Sequence, residues 1–456
     1  MTPPRTARYC AVLCALCASV AGCRSTDDGV IALEGATLID GSGGPPIEDA
    51  LILVRGGKIA AVARVNEIPV PRGAEVVLLV GKTVIPGLID GHAHVERWAA
   101  PRYLAWGVTT VRDLHNQDDS ALALRRDLNL GGTHGPRMFT AGAMIDGSPP
   151  TYPDAAGATT ESDARRAVDR RAAAGADYVK IYTKITPRLL AAVVEEARSL
   201  HMPVAAHLGA VDALTAARSG VASLEHMAGV VQAASADGNA IVRAHDRFLA
   251  GWSAEERAWT GLDSASIART AAALARMQVA VVPTLVLHET LSRLDDPRLP
   301  QRPEMRDVPA SAATVRDVAG LLRRSGWNAQ DLQAFRRARA RQDQFVREFK
   351  RAGGAIVAGS DAANQLLVPG AALHDEMALL VRAGFTPIEA ITAATRRGAQ
   401  LLGADSLGMI APGRAADLVV LNANPARNIA ATKNIAWVMV RGRIVRPDSL
   451  RAAWAR

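Results

Sequence analysis

The segment Val84-Ile85-Pro86-Gly87-Leu88-Ile89-Asp90-Gly91-His92-Ala93-His94-Val95 ends an apolar run in two histidines separated by one alanine. In an extended chain, residues i and i+2 point to the same side. His92 and His94 would therefore aim two imidazoles at one point, which suits a metal ion. The plain alternative is a pair of unrelated surface histidines in a loop. Matching ligands elsewhere in the chain decide between the two.

Downstream of this segment, apolar runs alternate with Ala/Arg/Glu-rich stretches. The runs are Val84–Ile89, Val108–Asp113, Met138–Gly142, Tyr178–Tyr182, Val204–His207, Ala222–Glu225, Val279–Thr284 and Ala355–Gly359. Intervening helices are predicted at Ala164–Ala174, Arg188–Leu200, Ala210–Arg218 and Ala372–Ala383. Eight strands each followed by a helix predict an α/β protein, a (β/α)8 TIM-like barrel over residues 83–403. Two connections, Gly229–Met277 and His288–Gly353, are long enough to build walls over the barrel mouth. Residues 30–82 and 404–456 share a different texture of short apolar runs broken by glycine, such as "DALILVRGGKIAAVA" and "IAWVMVRGRIV". They predict one small β-sandwich domain made from both chain ends.

The strand ends supply the matching ligands. The first strand ends in His92 and His94, and the fourth holds Lys180. The fifth ends in His207, the sixth in His226 and the eighth in Asp361. C-terminal strand ends converge on one mouth in such a barrel. Four histidines and a carboxylate there form a nitrogen and oxygen site suited to zinc or a similar divalent ion. Taken singly, each histidine reads as a hydrogen-bonded structural residue and Asp361 as a helix N-cap. All four cysteines, Cys10, Cys14, Cys17 and Cys23, lie near the N-terminus, so no thiol of the body can take part.

Lys180 sits in an apolar strand beside metal ligands, where an ammonium is strongly disfavoured. A neutral amine can take up carbon dioxide, and the resulting carbamate could bridge two cations. The other reading is a lysine that snorkels outward or pairs with a carboxylate.

The 456-residue chain is 49% hydrophobic, 21% charged and only 4% aromatic, with a net charge of +8. Most of that excess lies in Leu291–Arg351, with 14 basic and 8 acidic residues. Within it, segments such as Phe335-Arg336-Arg337-Ala338-Arg339-Ala340-Arg341 read as a solvated helix face rather than a nucleic-acid patch. At the N-terminus, Arg5 and Arg8 precede an apolar Tyr9–Val20 and the small-residue sequence Val20-Ala21-Gly22-Cys23. Residues 1–22 read as a signal peptide and 23–29 as a linker. The Val-Ala-Gly-Cys ending resembles the bacterial lipoprotein processing motif. It implies lipid attachment at Cys23 and export to the periplasmic face of the inner or outer membrane. The membrane would be met only through that anchor, and the oligomeric state is left open.

The ordered set "GLIDGHAH", "GVTTVRD", "VKIY", "AAH", "EH", "GSDA" and "LGMIAPGRAADLVVLNANP" resembles the amidohydrolase superfamily. Within it, the order is similar to the imidazolonepropionase-related branch with Xaa-Pro dipeptidases. The resemblance runs from about Val30 to Val445. It implies two divalent metal ions, zinc in the first instance, with His92, His94 and Asp361 on one and His207 and His226 on the other. Carboxylated Lys180 would bridge them. One departure stands out: the branch carries a glycine-glycine-histidine run after the third strand, and here the chain reads Thr140-Ala141-Gly142-Ala143-Met144-Ile145.

The expected reaction is hydrolysis of an amide bond in a dipeptide or N-acyl amino acid by a metal-activated water. Asp361 would act as general acid/base, and Tyr182, two residues beyond Lys180, as an oxyanion donor or simply a barrel-filling residue. Arg112 is a candidate for the substrate carboxylate, or else an ion-pair partner of Asp113. Lactone, ester or phosphotriester hydrolysis, cyclic amidine deamination, and a catalytically silent lipid-anchored binding protein are the competing readings.

Overall fold

A computed structural model describes residues 29–116, 118–132 and 134–454. The signal peptide, Cys23 and the linker through residue 28 lie outside them. Among the described residues no helix is long and apolar enough to cross a membrane.

The barrel is present with its strands in sequence order. Leu88–Ala93, Val108–Asp113 and Arg137–Thr140 pair in parallel. The third strand resumes at Ile145–Gly147 and pairs with Val179–Ile181, followed by Val204–Ala206, Ser223–Glu225 and Ala280–Val282. The eighth strand closes the ring through parallel bridges Val281↔Ile356 and Ala93↔Ala362. Closure brings two glycines against foreign backbone. A Cβ on Gly91 would lie 2.8 Å from Ala358 O, and one on Gly359 would lie 2.9 Å from His92 N. Only glycine lets the first and eighth strands approach this closely.

The outer helices start where local chemistry sets them. Thr160, Thr186, Asp212 and Asp263 each accept a backbone N–H at a helix N-terminus, for Glu161–Ala173, Pro187–Ser199, Ala213–Ser219 and Ser264–Arg276. Each such cap is worth about 1 kcal/mol. All four helices present alanine, leucine or valine to one large core under the sheet.

The small domain contains eight strands from both chain ends. They belong to one hydrogen-bonded sheet rather than two. Ile31–Leu38 has Ile47–Arg55 on one side and, in succession, Glu75–Leu78 and Thr83–Pro86 on the other. Thr83–Pro86, read above as the start of the first barrel strand, pairs instead with Leu418–Leu421 in this sheet. Pro86 has no N–H to continue a ladder, and beyond it Leu88 N bonds Gly107 O in the barrel. Side chains of the two paired strands alternate between two cores. Val84, Leu418 and Val420 enter the small core, while Ile85, Val419 and Leu421 enter the barrel core. Burial on both faces explains why these runs are apolar without alternation.

Candidate metal centre

His92 and His94 do point the same way. Their Nε2 atoms lie 3.2 and 3.0 Å from Asp361 Oδ1, and the three ligand atoms fall within 4.8 Å of one another. Among the described residues, this Oδ1 has no hydrogen-bond partner although it is buried. Two imidazole nitrogens and a carboxylate oxygen gathered this closely fit a cation. Burial alone would raise the Asp361 carboxyl, but His226 and His92 hold it well below the usual range.

The remaining ligand candidates surround this trio. The His226 ring lies 4.4 Å from that of His92 and 4.6 Å from that of His207. Burial pushes both His207 and His226 well below the ordinary histidine range, toward the neutral form that ligation requires. Lys180 is 2% exposed, and burial pulls it down to about 8, against the attraction of Glu225 and Asp361.

Three of the imidazoles have their Nδ1 engaged, which leaves Nε2 for a metal. His92 Nδ1 is 2.8 Å from Glu225 Oε2, His94 Nδ1 is 3.1 Å from His115 O, and His226 Nδ1 is 2.7 Å from Thr284 Oγ1. Such partners fix the ring orientation and tautomer of metal-binding histidines. His226, Thr284 and Asp361 also sit at positive φ of 59°, 44° and 56°. Non-glycine residues there carry strain that the surroundings must hold. For His226, His288 Nε2 donates to its carbonyl at 3.0 Å. His288 Nδ1 is 2.6 Å from Glu256, Gln342 donates to the same carboxylate at 3.1 Å, and Trp252 stacks on the His288 ring. Helices Phe248–Ala258 and Ala329–Arg351, from the two long connections, thus meet behind one imidazole.

Arg112 is placed elsewhere than a substrate residue requires. It is 2% exposed and donates to Glu225 Oε1 at 3.1 Å, Ser223 Oγ at 2.9 Å and Gly91 O at 3.3 Å. Its guanidinium also covers the Tyr178 ring. Nor does it pair with Asp113, whose carboxylate accepts from Val95 N and Thr140 Oγ1. Burial would raise Glu225, but Arg112 and His92 hold it at about 2. Glu225 escaped the sequence reading, although a carboxylate in the apolar run "VASLEH", next to a histidine, was the available signal.

Tyr182 lines the mouth, its ring 4.7 Å from His207, and burial keeps its phenol well above the usual value and so protonated. Tyr152, Phe248 and Trp252 extend the wall: Tyr152 and Phe248 pack on Tyr182, Trp252 on His207 and His226. In a chain only 4% aromatic, four such residues gather here. The loop lacking the glycine-glycine-histidine run is met by His115, whose Nδ1 accepts from Met144 N at 3.4 Å and whose Nε2 lies 3.3 Å from Asp154.

Comparison with known proteins agrees with this geometry. A family model described as the amidohydrolase family matches residues 83–445. An N-acyl-D-aspartate deacylase from Alcaligenes xylosoxydans xylosoxydans is 42% identical over 84 residues, 17% of this chain and 16% of that protein. The chain thus spans about a sixth of that relative's length. Among solved structures, a bottromycin amidohydrolase superposes with a TM-score of 0.70 at 23% identity, covering 93% of this chain and 89% of the other. A Xaa-Pro dipeptidase with bound methionine in its active site gives 0.68 at 21%, covering 92% and 100%. At these identities the likeness is one of fold.

Proposed function

Since the chain belongs to the amidohydrolase family, we propose that it is a binuclear metal-dependent hydrolase of an amide bond in a dipeptide or N-acyl amino acid. The observation that carries this reading is the convergence of His92, His94 and Asp361 within 4.8 Å, with His207, His226 and buried Lys180 packed around them. His92, His94 and Asp361 would hold one ion, His207 and His226 the other, and carboxylated Lys180 both. Bound divalent ions, zinc being suited to this donor set, lower the pKa of water and polarise a carbonyl.

The chain's own groups do the rest. Asp361 accepts the proton of the attacking water and passes it to the departing amine, so that water and amide become acid and amine. The protonated Tyr182 phenol donates to the oxygen that gains charge. Tyr152, Phe248 and Trp252 give the substrate's apolar part a dry wall. The dipeptidase and deacylase among the similar proteins support an amide over other acyl substrates. Export with a lipid on Cys23 completes the proposal and rests on the Val-Ala-Gly-Cys motif.

A panel of dipeptides, N-acyl amino acids, lactones and phosphotriesters, assayed on protein of measured metal content, tests the reading. Amide hydrolysis with two ions per chain is expected. Turnover confined to lactones or phosphotriesters would overturn it, as would fewer than two ions with no turnover.

A further inference from the structure

Val76, Leu78 and Val80 are 48%, 69% and 79% exposed, three of the seven large apolar side chains that reach solvent among the described residues. They alternate along Glu75–Leu78 and its extension, while Leu79 between them is 1% exposed. A strand with one solvent face normally alternates apolar with polar residues. This one is apolar on both faces. It pairs with Ile31–Glu34 along one edge, and among the described residues no strand covers the other.

We propose that this stripe rests on the lipid surface to which Cys23 tethers the chain, an inference that depends on the anchor reading above. The place where the described chain begins supports it. Val30 O accepts from Glu75 N at 2.8 Å, so the first residues of the body lie beside the first residues of the stripe. Cys23 is six residues before Gly29, a reach of about 20 Å at full extension. An acyl chain at Cys23 therefore holds the membrane close to Val76, Leu78 and Val80. Three aliphatic side chains bind a bilayer only weakly by themselves. A tether makes that contact intramolecular and so raises its effective concentration.

The surroundings match an apolar contact rather than a charged one. Arg72, Glu67 and Glu75 are exposed around the stripe, with both signs present. A second copy of the chain is a poorer occupant, since a stripe of three side chains falls far short of the roughly 1,200 Å² that a stable interface buries. The orientation also leaves substrate access free. The small sheet joins the barrel at the N-terminal ends of its first two strands, where Gly87 N bonds Asp417 O and Gly107 abuts Val419 and Ile435. The ligands sit at the opposite ends.

The test uses the full chain purified with its acyl group and placed in phosphatidylcholine vesicles with brominated acyl chains. Cys10, Cys14 and Cys17 lie in the leader and Cys23 carries the lipid, so Leu78→Cys offers one thiol for an environment-sensitive fluorophore. Leu200→Cys, also exposed, is the reference position. An emission loss of about twofold at position 78 with none at 200, insensitive to salt, is the expected result. No loss at either site, with acylated Cys23 verified by mass, would overturn the proposal and leave the anchor standing. Unmodified Cys23 would remove the anchor and the proposal together. Disulfide-linked Leu78→Cys dimers would hand the stripe to a second copy and overturn it.

Discussion

Glu225 stands between two cationic or hydrogen-bonding partners: one oxygen lies 2.8 Å from His92 Nδ1, the other 3.1 Å from Arg112. The residue that reaches the metal site is thus held by one that does not. Glu225→Gln should lower metal affinity or kcat/KM by roughly 10–100-fold, read by metal analysis and steady-state kinetics. Arg112→Ala leaves a carboxylate buried without its cation and should cost about 3–5 kcal/mol in urea unfolding. A rise in KM with unchanged stability would restore Arg112 to a substrate-binding role.

Lys180 gives a chemical prediction. Burial pulls its amine down to about 8, so a usable fraction is neutral near physiological pH and can react with carbon dioxide. Metal-free protein reconstituted with zinc should gain activity as bicarbonate is raised. Lys180→Ala should lose the response and bind fewer ions. Full activity and two ions in Lys180→Ala would remove the carbamate bridge.

Glu376 sets a pH dependence away from the ligands. It is fully buried, and burial raises its carboxyl to about 8, while Oε2 accepts from Val286 N at 2.7 Å. A raised folded pKa means stability that is whole below the unfolded value near 4.5 and is lost as pH rises through 8. Glu376→Gln mimics the neutral acid. Its stability relative to the parent should therefore grow between pH 5 and pH 8, by up to about 4 kcal/mol. Parallel unfolding curves for the two proteins across that range would show the carboxyl to be ionised in the fold.

His288 links the two long connections to the backbone of His226. Removing it in His288→Ala leaves the buried Glu256 carboxylate to the neutral Gln342 amide and takes the donor from the His226 carbonyl. A loss of about 3–5 kcal/mol is expected, together with lower metal occupancy in protein still folded at low temperature. Normal metal content and an unchanged unfolding midpoint would make the network incidental to the site.

The legible part of this protein lies in residues whose placement follows from local periodicity. Strand-end residues such as His207 and Asp361 could be read because a strand fixes which end its last residue occupies, and the barrel fixes where strand ends go. Val84–Ile89 misled for the same reason. Its apolar pattern is continuous, yet Pro86 divides it between two sheets that are both buried. Arg112 was legible as a charge but not as a partner, since Glu225 lies 113 residues away. Residues such as Thr284 and His288, ordinary in sequence, acquire roles only through the backbone turn they brace.

By itself the sequence determined which side chains stand at the strand ends, that no thiol of the body can join them, and that both chain ends form β structure. Alternation, helix caps and glycine spacing are local, and local interactions are written in neighbouring residues. Only the tertiary structure decided which nitrogen of each histidine is free, that Arg112 serves Glu225, and that Thr83–Pro86 leaves the barrel. Those outcomes depend on ring closure bringing distant strands into contact, where burial makes each polar group find whichever partner the closed sheet delivers.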